Sequence, residues 1–302
     1  MTRFDGVRWT GFNNAHYGLG VDWPFPNDNC QQVGHRSTVP AVVLNPTNEG
    51  HHQWDATQWS DLGGASESRG LVEDSTGRLW SLGPYYDLRY LDQATWQPVD
   101  NNGAWGNNLQ RDPTRPGTIW ASTFAEIIRT DGTYRFSRTY DQFPELDIQV
   151  DSFTTVAAAP QGIAWLGSTQ GIFRLDANSG SYQYFSALGG ISAMAASPFT
   201  VTPDGKLWYV VFDPFGTGPH GLVWFDGATA GIYSAPRGGE PQWGGLPHAQ
   251  IVALEVRIVP GGYELWMSCL SRGIAVLFVP GANLFGDGFE SGDLGRWSAT
   301  VP

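Results

Sequence analysis

The sequence predicts an all-β fold, a β-propeller, from three observations. Tryptophan recurs at one place in a short apolar segment: Arg78-Leu79-Trp80, Thr118-Ile119-Trp120, Ile163-Ala164-Trp165, Lys206-Leu207-Trp208 and Glu264-Leu265-Trp266. These tryptophans lie 40, 45, 43 and 58 residues apart, and a period near forty built on strand-type residues is that of propeller blades. The 39 Gly and 20 Pro among 302 residues leave little room for a long helix and favour short strands joined by turns.

The elements follow in order within each unit. Leu71-Val72-Glu73-Asp74 reads as a first strand, Ser75-Thr76-Gly77 as a tight turn and Arg78 to Leu82 as a second strand. A third strand ends at Tyr90-Leu91-Asp92, and a fourth surrounds Trp96. Later units turn at Pro160-Gln161-Gly162, Pro203-Asp204-Gly205 and Pro260-Gly261-Gly262, where Pro presets φ and Gly accepts a positive φ. Between third and fourth strands an aromatic residue or Leu precedes Asp: Phe4-Asp5-Gly6, Trp54-Asp55, Leu91-Asp92, Leu175-Asp176 and Phe225-Asp226-Gly227. An Asp there closes the turn by bonding its own backbone. Five second strands, with a sixth unit implied by Asp55 and Trp59 and Val43 in the tryptophan's place, predict six four-stranded blades. Residues 3 to 9 hold only the end of a blade, and the unit from Glu264 to Val279 lacks a fourth strand. An N-terminal strand is therefore expected to close the last blade and remove its exposed edge; seven blades is the alternative. Residues 1–280 are expected to form one propeller domain and 281–302 a flexible C-terminal tail.

Charge and composition narrow the function. The net charge is −12 and Lys206 is the one lysine, so a phosphate backbone is repelled and nucleic acid is not an expected partner. No run of eighteen apolar residues predicts a membrane span, and Met1-Thr2-Arg3-Phe4-Asp5-Gly6 lacks the apolar core of a signal peptide. Since the first residues already read as the end of a repeat, Met1 is expected to be a fragment boundary.

The segment Gly162-Ile163-Ala164-Trp165-Leu166-Gly167-Ser168-Thr169-Gln170-Gly171-Ile172-Phe173-Arg174-Leu175-Asp176 resembles the two-component regulator propeller repeat. More distantly the repeats look like those of virginiamycin B lyase, a seven-bladed enzyme, although its catalytic His and Glu match no motif here. The first resemblance implies a periplasmic or secreted sensor region. Residues 285–298, Phe-Gly-Asp-Gly-Phe-Glu-Ser-Gly-Asp-Leu-Gly-Arg-Trp-Ser, resemble a short C-terminal segment of secreted Gram-negative proteins, which implies export to the periplasm, cell surface or exterior.

Ligands of propellers sit at the mouth of the channel, among the loops joining second to third strands and the connections between blades. Ten of the fourteen tryptophans fit the strand pattern; Trp23, Trp105, Trp243 and Trp297 do not. The first three lie in interblade connections, where an exposed ring offers a platform for a sugar, base or peptide side chain. The competing reading is packing into the base of the loop. The longest loop within a blade, Phe212 to Gly221, carries Asp213 and His220, which could together do acid–base work, with plain surface residues as the default. Glu145, Asp147 and Glu240 are further acids near the mouth. Tyr85, Tyr86 and Arg237 complete the candidate contacts. His51 and His52, adjacent in a strand, point to opposite faces and cannot ligate together. No metal, phosphate-loop or nucleophile motif is present, and no cofactor is expected. Cys30 and Cys269 fall in blades that a closed ring makes neighbours, and a disulfide between them is expected, two buried thiols being the alternative.

The sequence thus favours a secreted or cell-surface propeller, a monomeric fragment of a larger bacterial protein, binding a carbohydrate or protein ligand or sensing at its mouth. The alternatives are a polysaccharide or lactone-type lyase or hydrolase using the mouth acids and His220, and a structural scaffold.

Overall fold

The computed structural model describes residues 2–4, 9–11, 34–36, 42–47, 50–54, 59–63, 70–83, 87–99, 106–147, 151–193, 197–211, 221–234, 246, 250–269 and 273–281. It contains two compact units, Met1–Ser186 and Ala187–Pro302.

In the first unit β1 (Thr2–Phe4) pairs antiparallel with β2 (Trp9–Gly11). Three four-stranded antiparallel sheets in simple meander order follow β3 (Gly34–Arg36), β4 (Val42–Thr47), β5 (Gly50–Trp54) and β6 (Trp59–Gly63), which make the first. The second sheet is β7 (Gly70–Glu73), β8 (Leu79–Gly83), β9 (Asp87–Asp92) and β10 (Thr95–Val99). The third is β11 (Gly106–Arg111), β12 (Ile119–Thr123), β13 (Glu126–Thr130) and β14 (Arg135–Thr139). The fourth is β15 (Phe153–Ala159), β16 (Ile163–Ser168), β17 (Ile172–Asp176) and β18 (Tyr182–Phe185). The first strands stand side by side, β3 against β7, β7 against β11 and β11 against β15, as the inner strands of blades do.

The second unit begins with a short hairpin, β19 (Ala187–Leu188) and β20 (Ile191–Ser192). A four-stranded sheet follows: β21 (Phe199–Val201), β22 (Leu207–Val211), β23 (Gly221–Phe225) and β24 (Ala230–Ser234). The last sheet has three strands among the described residues: β25 (Ile251–Val259), β26 (Gly262–Cys269) and β27 (Gly273–Pro280). β1 pairs with β2, a partner only a few residues along the chain, so that pairing carries a small loop-closure cost.

Apolar side chains fill the space between consecutive sheets. Trp80, Leu82 and Leu88 meet Leu109, Ile119 and Ala121 of the third sheet. Trp120 and Ile127 meet Phe153, Val156 and Phe173 of the fourth, and Trp208, Val210 and Leu222 meet Ile251, Leu265 and Met267 of the last. Each of these second-strand tryptophans therefore faces the sheet that follows it, which is why the residue recurs once per unit.

The indole N–H needs a partner once buried. The Asp74 Oδ2 accepts from Trp80 Nε1 at 2.7 Å while its Oδ1 accepts the Thr76 and Arg78 amides, closing the turn between the first two strands. Asp112 repeats the device with Trp120 Nε1 at 3.1 Å and the Thr114 and Arg115 amides. Thr202 Oγ1 serves Trp208 at 3.2 Å, and Glu264 Oε2 serves Trp266 at 2.9 Å. At the turns between third and fourth strands Asp226 accepts the Ala228 and Thr229 amides and Asp176 the Asn178 amide, the role expected of them.

Candidate functional site

In a meander of four strands the loops joining second to third strands, and the connections to the next sheet, leave from one end. In the third and fourth sheets this end is held by a repeated hydroxyl device. Thr123 Oγ1 donates to the Glu126 carbonyl at 3.0 Å and accepts the Ala125 and Glu126 amides. Ser168 Oγ donates to the Gly171 carbonyl at 2.9 Å and accepts the Gln170 and Gly171 amides. A hydroxyl at the last position of the second strand so satisfies a tight loop from within.

The connection from the third sheet to the fourth closes over that loop. Tyr140 is buried, stacks on Phe153 with centroids 4.8 Å apart, and donates its hydroxyl to the Asp151 carbonyl at 2.9 Å. Burial, with the Asp151 charge in support, pushes the Tyr140 phenol far above its usual range. Asp151 Oδ1 accepts from Thr169 Oγ1 at 2.7 Å and Gln170 Nε2 at 2.8 Å, and Oδ2 accepts the Asp147 amide at 2.7 Å. Partial burial works to raise its pKa, but these three donors outweigh it and hold the carboxyl below the usual range. A carboxylate so engaged is a clamp between connection and loop, not a proton carrier.

Of the acids expected near the mouth, Glu145 accepts the Tyr182 hydroxyl at 2.9 Å from the outermost strand of the fourth sheet, and both Glu145 and Asp147 are exposed. Burial and Glu145 together raise the Tyr182 pKa. Glu126 is an acid at this end that the sequence pattern did not single out. Its carboxylate is fully buried, and both oxygens accept from Arg135 Nη2 at 2.8 and 2.9 Å. No sequence motif marks it, because the pairing of β13 with β14 brings Arg135 within reach. His51, weighed in the sequence only as a ligand beside His52, is buried with Nε2 2.8 Å from Ser81 Oγ, Nδ1 3.2 Å from the Gly63 carbonyl and its ring 4.6 Å from that of Trp96. With Nδ1–H donating to the carbonyl, Nε2 accepts from Ser81, so His51 joins the first two sheets.

Trp23, Trp105, Trp243, Tyr85, Tyr86, Asp213, His220, Arg237, Glu240 and Cys30 lie outside the described residues. Cys269 is buried at the end of β26, in the core shared with Trp208 and Leu265. Among the described residues no group of three or more His, Cys, Asp or Glu is arranged to hold a metal ion, and no helix is long and apolar enough to cross a membrane.

No known protein family and no curated protein matches the sequence. In structure the chain is similar to the extracellular domain of BT3049 from B. thetaiotaomicron, assigned to a hybrid two-component system. The TM-score is 0.59 and the identity 16%, over 84% of this chain and 34% of that one. It is similar to PorZ, a surface component of the type-IX secretion system of Porphyromonas gingivalis, with TM-score 0.66 and 15% identity, covering 92% of this chain and 42% of that one. A gluconolactonase of Xanthomonas campestris is matched with TM-score 0.51 and 12% identity, over 82% and 86% of the two chains. The first two comparisons place the chain at less than half the length of those proteins. The fold is a β-propeller, the fold that the resemblance read from the repeats implies.

Proposed function

We propose that this chain is the propeller of an extracellular or cell-surface bacterial protein, and that it is a ligand-binding, sensory or interaction module within a longer polypeptide. Residues 1–280 carry that propeller. The observation supporting this reading is how the described aromatic and acidic residues are used. Trp80, Trp120 and Trp208 are buried between sheets and Trp165 is buried, and Asp74, Asp112, Asp151, Asp176 and Asp226 are committed to turns and clamps. Recognition then falls to the aromatics outside the strand pattern, Trp23, Trp105 and Trp243, with Tyr85, Tyr86, Asp213, His220 and Arg237 as the further candidate contacts. Flat rings with few acids suit a carbohydrate or a protein side chain.

Calorimetric titration with oligosaccharide and peptide panels tests this. The Trp105→Ala/Trp243→Ala chain is expected to lose at least about tenfold in affinity for a ligand that the parent binds, without a change in melting temperature. Binding that survives both changes sinks the mouth tryptophans as contacts. Turnover of a lactone or polysaccharide that is abolished by His220→Ala or Asp213→Ala would replace the binding module with an enzyme.

A further inference from the structure

A buried polar side-chain atom needs a hydrogen-bond partner, and the third sheet holds two facing atoms that find none among the described residues. Ser122, on β12, is 0% exposed, and its Oγ is one of them. Asn108, on β11, is half-buried, and its Oδ1 is the other. The two residues stand directly opposite each other in the β11–β12 register. Opposed in this way, the two oxygens define one site and not two separate defects.

The local fold explains how the site arises. Gly106 pairs with Thr123 and Asn108 with Ser122, so β11 carries a bulge in which Asn107 is the extra residue, left out of the ladder. Asn107 turns its side-chain amide to the Phe153 carbonyl of the fourth sheet. The bulge sets Asn108 in one row with Ser122, Ile127 and Arg138. Ser122 follows Trp120 by two residues and shares its face of β12, the one turned to the fourth sheet. Thr123, the next residue, is committed to its own loop through the Glu126 carbonyl and the Ala125 and Glu126 amides. Its hydroxyl therefore does not serve this row.

The chemistry of the pair selects its occupant. Asn108 Oδ1 can only accept, whereas Ser122 Oγ both donates and accepts. Opposed Cβ atoms on an antiparallel pair are about 4.5–5.5 Å apart, a spacing at which one water can reach two side-chain oxygens at about 2.8 Å each. The row contains no carboxylate and ends on the Arg138 guanidinium, which disfavours a cation. We propose that Asn108 and Ser122 form the binding site of a single water molecule at the bulge of the third sheet, the water donating to Asn108 Oδ1 and accepting the Ser122 hydroxyl. It ties the first strand to the second where the bulge interrupts their ladder, at the end from which the Thr123–Glu126 loop leaves. The inference is independent of what the propeller binds.

A crystal structure of the full chain at a resolution that shows ordered water, with oxygen-17 relaxation dispersion in solution, tests the assignment. The parent is expected to hold one water within about 3 Å of both Asn108 Oδ1 and Ser122 Oγ. Ser122→Val fills that space with methyl groups and is expected to lose this water in the crystal and one long-lived water per molecule in solution. Asn108→Leu, close in volume and without polar side-chain atoms, makes the same test if the valine variant does not fold. A parent structure in which no water touches both atoms, or in which the two side chains bond each other directly, overturns the proposal whatever the variants do. So does a count of long-lived waters that is unchanged in the folded variant.

Discussion

Asp112 shows how one residue can hold a blade together. Its fully buried carboxylate accepts the Thr114 and Arg115 amides, the Thr114 hydroxyl, Trp120 Nε1 and, at 2.7 Å, the Nε of a nearly buried Arg129. Burial works to raise its pKa; the Thr114 amide and hydroxyl, Arg129 and the Arg115 amide together outweigh this, and the net displacement is downward. Asp112→Ala leaves a guanidinium and an indole N–H buried without their acceptor, so a loss of about 3–5 kcal/mol in urea unfolding is expected. Asp74→Ala, whose carboxylate serves Trp80 and its turn, is expected to lose about 1–3 kcal/mol. Because the folded pKa of Asp112 is depressed, its contribution is complete above the unfolded carboxylate value, about 3.9, and is lost as pH falls through the folded value. The stability gap between the parent and Asp112→Asn should be constant from pH 7 to 5 and narrow below about pH 4. A gap that does not narrow on acidification would contradict the assignment. The sequence concealed this role, since Asp74 precedes its tryptophan by six residues and Asp112 by eight, the Pro113–Gly117 turn being longer.

Within a blade, the residue that opens the third strand, or stands just before it, is fixed by how closely the fourth strand passes over it. A Cβ built on Gly171 would lie 2.5 Å from the Phe185 carbonyl oxygen, and one on Gly221, whose φ is +144°, would lie 2.0 Å from the Tyr233 carbonyl oxygen. In both places the obstacle is backbone and cannot rotate away. Gly171→Ala is expected to destabilise by about 1–3 kcal/mol by overpacking, and Gly221→Ala by more, since its φ is also unfavourable to a side chain. Thermal melts of the two variants check this, and equal stability with the parent would show that the outer strands yield. Much at this scale was legible. The tryptophan in each second strand and the Asp of the third-to-fourth turns read through because burial and φ preference act within a few residues. The hydroxyl device of Thr123 and Ser168 was not read, because Thr and Ser are common on any strand and only the loop geometry distinguishes them.

At the scale of the whole molecule the sequence spoke clearly about architecture and faintly about chemistry, for one physical reason. A repeat imposes the same packing problem several times, so its solution is written several times, whereas a binding site is written once. Glu126 with Arg135, and His51 with Ser81, depend on strand pairings that no local pattern encodes. The proposed bridge between Cys30 and Cys269 is a constraint of this long-range kind. Cys269 is 4% exposed at the end of β26, inside an apolar core, where a thiol is shielded from reagents while the protein is folded. The distinguishing experiment is therefore performed on denatured, unreduced protein treated with an alkylating agent and weighed. A bridged chain gains no alkyl group until reductant is added and then gains two; two free thiols gain both at once. If the bridge exists, its loop of more than two hundred residues restricts the unfolded chain. Reduction is then expected to lower unfolding free energy by roughly 2–5 kcal/mol, with the larger change in the denatured ensemble. Two alkyl groups gained before reduction would refute the bridge and leave Cys269 as an apolar core residue.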